Sequence, residues 1–475
     1  MDSLEKFLLM EQEHKLIERN VVGISYWMLM RFSLYNILDE QLSSSGKNLR
    51  AKKTSKWSQI QKIVKTYTSR RYNIWNRLKK SEVLVVNHPR RIKIGEFYRC
   101  VYTDEIVKRM KPEQVQVLEY PYGGAGHFEP IETKNCVYLD RIFSGNLIFR
   151  VFQTKIKQKK HLQLLEHCAK EADFLRQSIE QKMGIIVSEV LLTDLIMDTI
   201  YFYQYTYRQF DKIIQKVSPK VLVEVVYYNR ANNLFNEIAH AHNIPVIELQ
   251  HGVMGKNHVS YNFLSDVGNQ WMPDQVLTFS DYWNQTSRFP KERMLAVGYP
   301  FYEEQLAHYK QANKKNQILF VSQTVIGKEL SEFAVAFSQL LQPENELEII
   351  YKLHPGEYDS WKTAYPKLLD SKIKVIDHNE QTIYELLSES IAQVGVFSTA
   401  LYEGMGFGLT TYLVDAYRSQ DLDPLVEQGY ATRVHSPLEL YQQWKQAAVC
   451  NSHQQVYFWK ENALESIIRE IEKAL

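Results

Sequence analysis

A chain of 475 residues, 45% hydrophobic and 24% charged, is longer than one hydrophobic core organises, so two domains are expected. Its formal net charge of +2 excludes a uniformly basic or acidic protein. Four cysteines (Cys100, Cys136, Cys168 and Cys450) lack paired spacing, which argues against a disulfide framework or zinc site and fits a reducing cytoplasm.

Met1-Asp2-Ser3-Leu4-Glu5 has neither the basic start nor the apolar core of a signal peptide. Residues 1–42 are helical in pattern. Their most apolar stretch, 21–38, is interrupted by Arg31, Ser25, Ser33 and Asn36, so it reads as a core helix rather than a membrane span. An interfacial helix carrying Tyr26 and Trp27 is the alternative. Ser43-Ser44-Ser45-Gly46 is a break. Residues 47–80 then hold twelve Lys or Arg and no Asp or Glu, leaving the rest of the chain at −10. Trp57, Ile60, Val64 and Tyr67 fall at helical spacing among these cations. Two readings stand: docking on an anionic membrane surface, or packing against the protein's own domain. Nucleic acid is not expected, because no recognition module accompanies the charge.

From residue 83 short β-branched runs alternate with helical patterns. Strands are predicted at 83–86, 115–118, 136–139, 221–227, 246–249, 276–279 and 294–297. Among them lie the loop Tyr120-Pro121-Tyr122-Gly123-Gly124-Ala125-Gly126-His127 and a helix through Leu165, Cys168, Ala172, Leu175, Ile179 and Met183, with Gly184 as its C-cap. A polar linker, 306–316, precedes strands at 318–321, 348–353, 373–376, 392–397 and 411–414. Ser436-Pro437-Leu438-Glu439 opens the C-terminal helices as a capping box. The pattern predicts an α/β protein of two Rossmann-like domains facing a cleft. The expected parts are a helical basic extension (1–80), an N-terminal acceptor domain (81–305), the linker, a C-terminal donor domain (317–435) and closing helices (436–475).

Neither half contains G-x-G-x-x-G or a Walker loop, which argues against a nicotinamide dehydrogenase or a P-loop kinase. Ligands of parallel sheets bind at the carboxyl ends of the strands, so those ends carry the argument. One ends in Lys352-Leu353-His354-Pro355, where His354 can donate to a phosphate oxygen and Pro355 stiffens the turn. A structural strand-capping histidine is the plainer alternative. Another ends in Phe397-Ser398-Thr399, whose hydroxyls and N–H groups offer either an anion site or a simple N-cap. Glu403, one turn on, is placed for the hydroxyls of a ribose. Gln323 lines the same side. Together these residues suggest a nucleotide-activated substrate. In the N-terminal half, His251 before Gly252 is the leading candidate base, with Glu129, His127, Glu224 and Glu248 as others. His88, Arg90 and Arg91 are candidates for an anionic acceptor, as is His127. No D-x-D-type metal motif is suitably placed, so no metal or other cofactor is expected.

Residues 351–356, 396–408 and Glu248-Leu249-Gln250-His251-Gly252 resemble motifs of bacterial capsular and cell-surface polysaccharide glycosyltransferases of the GT-B fold. Within that group the resemblance is to sialyltransferases and polysialyltransferases, with their HP and serine motifs. CDP-glycerol glycerophosphotransferases and Kdo transferases are similar in outline. The resemblance covers roughly 220–420 and implies that His354, Ser398 and Thr399 hold the nucleotide phosphate, with Glu403 at the ribose. The chain departs from the pattern by lacking an acidic-acidic-Gly triplet in its N-domain and by having Ser-Thr for consecutive serines, which speaks against CMP-sialic acid. The implied activity is metal-independent transfer of a sugar from a nucleotide-activated donor to a growing surface polysaccharide or a lipid-linked acceptor. The implied location is cytoplasmic, peripheral on the inner face of the cell membrane. A non-hydrolysing UDP-N-acetylglucosamine 2-epimerase is the alternative, and a non-catalytic glycan-assembly protein the third.

Overall fold

The computed structural model describes residues 2–42, 56–122, 126–265, 267–447 and 458–475. The cations at 47–53, Gly123, Gly124 and Cys450 lie outside the described residues, as does the side chain of Trp57.

Seven parallel strands form the N-terminal sheet: β1 (Val83–Asn87), β2 (Val115–Glu119), β3 (Cys136–Tyr138), β4 (Val221–Val225), β5 (Val246–Leu249), β6 (Gln275–Thr278) and β7 (Met294–Ala296). Their order is β3-β2-β1-β4-β5-β6-β7. Six more form the C-terminal sheet: β8 (Gln317–Val321), β9 (Glu348–Lys352), β10 (Lys374–Ile376), β11 (Ala392–Gly395), β12 (Thr410–Val414) and β13 (Thr432–Val434), ordered β10-β9-β8-β11-β12-β13. Both are doubly wound, and the order reverses between β1 and β4 and between β8 and β11. Loops leaving such a reversal diverge and open a crevice at the carboxyl edge. The two sheets thus form the two Rossmann-like domains of a GT-B fold.

The strands form where expected because continuous Val, Ile and Leu runs suit strands covered on both faces. All five residues of β1 and of β4 are buried. Edge strand β13 escaped prediction: it is three residues long and carries Arg433 at its centre.

Helices α1 (Ser3–Glu13) and α2 (Trp27–Leu42) belong to the N-domain rather than to an extension. Arg31 is buried against Glu11 (Nε–Oε2 2.5 Å) and donates to the carbonyls of Val259 (2.6 Å) and Asn262 (2.9 Å). Tyr26 and Trp27 are fully buried, so the interfacial alternative for this stretch is replaced by core packing. Next come α3 (Lys56–Thr68), α4 (Asp140–Lys155), α5 (Gln158–Met183), α6 (Glu189–Val217) and α7 (Arg230–Ala241). Gly184 caps α5 in the left-handed conformation (φ 70°), as expected.

In the C-domain, α8 (Thr399–Gly406) follows β11, and α9 (Pro437–Ala447) covers the sheet through Leu440. The last helix, α10 (Ala463–Lys473), crosses back, and Ile467, Ile468 and Ile471 join the N-domain core. Glu303 holds its start by accepting from the N–H groups of Asn462 and Ala463, both at 2.9 Å. Among the described residues, no helix is long and apolar enough to cross a membrane.

Candidate functional site

On the C-domain wall, the turn after β9 is built by a carboxylate. Glu357 accepts from the His354 N–H (2.6 Å), the Ser322 hydroxyl (3.0 Å) and the Tyr365 hydroxyl (2.6 Å). This fixes His354, whose Nδ1 accepts from the Gly356 N–H at 3.1 Å and lies 3.3 Å from Thr324 Oγ1. A neutral ring with Nδ1 so occupied carries its proton on Nε2, which has no protein partner among the described residues and is a ready donor. Burial, then the cations Arg90 and Lys352, lower the His354 pKa, so the ring is neutral at pH 7. Ser398 caps α8 by accepting from the Ala400 N–H (3.3 Å). Gln323 accepts from the Phe397 N–H (3.4 Å), tying the end of β8 to that of β11.

Across the cleft stands the end of β5. A Cβ on Gly252 would lie 3.6 Å from Thr399 Oγ1, so His251 and the Ser398-Thr399 turn face each other over a gap that a bare glycine keeps open. His251 Nε2 lies 3.1 Å from the Tyr228 hydroxyl, its carbonyl accepts from Tyr102 (2.9 Å), and its Nδ1 is buried without a partner. Its ring stacks on His88 at 6.3 Å between centroids. Burial, then the neighbouring His88 and His258, push the His251 pKa well below its ordinary value. Burial likewise lowers His88 to about 4 and His258 to about 3. The N-domain wall is therefore lined by neutral imidazoles. Arg90 is exposed, and its charge bears on His354 and Tyr358 of the other domain.

Several sequence candidates do other work. Arg91 is buried between Glu119 (2.8 Å) and Asp104 (2.8 Å) and cannot meet an acceptor. The His127 side chain is buried between Glu119 (2.9 Å) and Asp140 (2.6 Å); burial opposes its charge, but these two hydrogen bonds raise its pKa. It bridges two buried carboxylates and is not free to meet an acceptor. Glu129 pairs with Arg71 near edge strand β3, away from His251. Glu248 lies inside the sheet beside Glu224 of β4, accepting from the Tyr227 N–H (3.1 Å) and the Tyr261 hydroxyl (2.9 Å). Burial lifts Glu248 to about 8 and, together with the Glu248 charge, raises Glu224 well above the usual carboxylate range. Neither reaches the cleft.

Two donor-side candidates also turn inward. Lys352 donates to the Tyr358 hydroxyl (2.5 Å) and the His378 carbonyl (2.9 Å), and burial lowers it to about 8. Glu403 accepts from the Tyr384 hydroxyl (3.2 Å) in an aromatic layer, and burial raises it to about 7. In this conformation it does not face a ribose.

Sequence reasoning missed Arg418, which follows β12, pairs with Asp421 (2.7 Å) and lies over the Phe397 ring (5.2 Å). It also missed Tyr228 and His258, and the closing contact from Asn257 Nδ2 to the Gln420 carbonyl (3.1 Å). The strand-end rule applied to β12 would have found Arg418. Among the described residues, no group of three His, Cys, Asp or Glu side chains is placed to hold a metal ion.

No family model matches this chain, and no curated protein does. Among solved structures it is similar to UDP-GlcNAc 2-epimerase from Methanocaldococcus jannaschii (11% identity, 83% of this chain and 99% of that one, TM-score 0.49). It is also similar to UDP-N-acetylglucosamine 2-epimerase from Rickettsia bellii (10%, 84% and 96%, TM-score 0.46) and to Acinetobacter baumannii MurG (12%, 82% and 99%, TM-score 0.43).

Proposed function

We propose that this chain is an enzyme that binds a nucleotide sugar and transfers its glycosyl group to a surface-polysaccharide or lipid-linked acceptor. The reading rests chiefly on one observation: the outward Nε2–H of His354, the start of α8 at Ser398-Thr399 and the exposed Arg90 share the cleft with His251. Two donors and a cation suit the leaving nucleotide phosphate, with no metal in the scheme. His251, neutral and with Nδ1 unpartnered, is the candidate base for the acceptor hydroxyl. When its Nε2–H donates to Tyr228, Nδ1 keeps the lone pair a base needs.

Transfer is preferred to epimerisation because the basic, aromatic-bearing segment 47–80 suits a polymer or membrane-bound acceptor. Thermal-shift titration with CMP, CDP, UDP and GDP tests the nucleotide, since a ligand of the native state alone raises its stability. Incubation with the matching nucleotide sugar tests the reaction. Release of nucleotide only when acceptor is added supports transfer, whereas a changed sugar without acceptor identifies an epimerase. Binding without turnover across donors and acceptors makes it a non-catalytic assembly protein, and no shift with any nucleotide overturns the reading.

A further inference from the structure

Helices α3 and α4 carry a surface that the cleft does not use. They lie together: Arg141 donates to the Tyr67 carbonyl at 2.8 Å, and a Cβ on Gly145 would meet the Tyr67 hydroxyl at 3.1 Å. Ile60 and Val64 then fall on one stripe of α3 and Leu147, Ile148 and Val151 on one stripe of α4, with Ile156 just beyond. These six are 41–66% exposed. Single exposed aliphatics are ordinary, but five on two packed helices with a sixth at the end of one are not.

Along these two segments the charge has one sign, although Arg150 is paired with Asp198 of α6. Residues 141–165 contain six Lys or Arg and no acid, as 47–80 contain twelve and none. Lys65, Lys155, Lys157, Lys159 and Lys160 are exposed, and among the described residues none pairs with a carboxylate. Lys157 instead lies 5.9 Å from the Phe152 ring centroid. Neighbouring α5 shows what a solvated face of this protein looks like, with Glu166–Lys170, Asp173–Arg176 and Arg176–Glu180 pairs along it. The α3–α4 face has apolar side chains where α5 has carboxylates. Unpaired lysines around an aliphatic stripe complement a surface that is negative outside and apolar beneath.

We propose that the α3–α4 face docks this protein on an anionic lipid bilayer, with Ile148, Val151 and Ile156 entering the acyl boundary and the lysines on the headgroups. Helix α4 leaves the sheet directly after β3, at the carboxyl edge that also carries His251. The proposal does not depend on the nucleotide reading.

The test is co-sedimentation of the full chain with phosphatidylcholine vesicles, pure or containing about a third phosphatidylglycerol. Two variants are compared with the parent: Lys157→Gln/Lys159→Gln/Lys160→Gln, and Ile148→Glu/Val151→Glu. All five positions are exposed, so thermal melting should match the parent. The parent is expected to bind only the anionic vesicles, less so at high salt. Each lysine contributes roughly fivefold, so the triple variant should lose roughly a hundredfold, and the double variant should stay in the supernatant. Equal binding to both vesicle types, absence of binding, or variants that bind like the parent would overturn the proposal. So would a parent dimer, seen by light scattering, that Ile148→Glu/Val151→Glu makes monomeric, for then a second copy of the chain covers this face.

Discussion

Replacing His354 by alanine separates the anion site from the fold. The ring's protein contacts are at Nδ1, with the Gly356 N–H and Thr324, and Thr324 and Gly356 are exposed. Their loss should cost about 1 kcal/mol of stability. Nε2–H facing a phosphate oxygen is a hydrogen bond to a charged group, worth about 1.5–3 kcal/mol. Affinity for the nucleotide should therefore fall roughly 10- to 150-fold while melting without ligand barely moves. His354→Gln, which carries an N–H near the Nε2 position, should recover part of the loss. The pH dependence carries the second half of the test. Burial, then Arg90 and Lys352, hold the His354 pKa below its ordinary value, so the ring donates as a neutral group at pH 7. Its contribution should be flat above neutrality and should grow only as acid charges the ring. Calorimetric titration of parent, alanine and glutamine variants with the nucleotide found by thermal shift, at about pH 6, 7 and 8.5, measures both effects. Unchanged affinity in the alanine variant would refute the placement. A parent affinity that falls with a midpoint near the ordinary histidine pKa would refute the neutral-donor argument.

Arg91→Met should cost about 3–5 kcal/mol in urea unfolding, because it removes the guanidinium that bridges the buried carboxylates Asp104 and Glu119, leaving Asp104 without its cation. Gly298→Ala should lower the melting temperature by several degrees: Gly298 has φ 104°, and a Cβ there would overlap the Lys460 carbonyl and Ala463 at the start of α10. Glu248→Gln should change the pH dependence of stability. Burial raises the native Glu248 pKa to about 8, so the unfolded chain releases this proton near 4.5 while the native chain keeps it. That contribution is complete below about pH 4.5 and is lost as pH rises towards 8, so the variant should gain on the parent in melts between about pH 5 and 8. A constant difference across that range would contradict the assignment.

The sheets were legible because burial on both faces demands apolar runs, and such runs end abruptly where the crevice begins. That logic put His354, Ser398, Thr399 and His251 at strand ends, and the structure has them just after β9, β11 and β5. It failed wherever a polar residue's partner lies far along the chain. In His88-Pro89-Arg90-Arg91 the two arginines look alike, yet Arg90 faces solvent while Arg91 is claimed by Asp104 and by Glu119 of the neighbouring strand. His127 was misread for the same reason, its partners Glu119 and Asp140 standing at the ends of two different elements. Glu248 could have been read correctly. A residue inside a four-residue strand flanked by two others has no open face, so a carboxylate there is buried whatever its alternation suggests.

The two His-Pro turns show how far a local motif determines a role. His88 Nδ1 accepts from the Arg90 N–H at 3.2 Å, and His354 Nδ1 accepts from the Gly356 N–H at 3.1 Å. Each proline fixes the backbone so that residue i+2 folds back on the ring, and each neutral imidazole therefore places its proton on Nε2. Their surroundings then divide them. His88 stacks on His251 and meets Tyr102 edge-on at 5.7 Å, so its ring serves as wall. His354 stands beside exposed Thr324 and Gly356, with a cation of the other domain bearing on it. The dipeptide sets the tautomer in both domains, and what packs against each ring separates their surroundings.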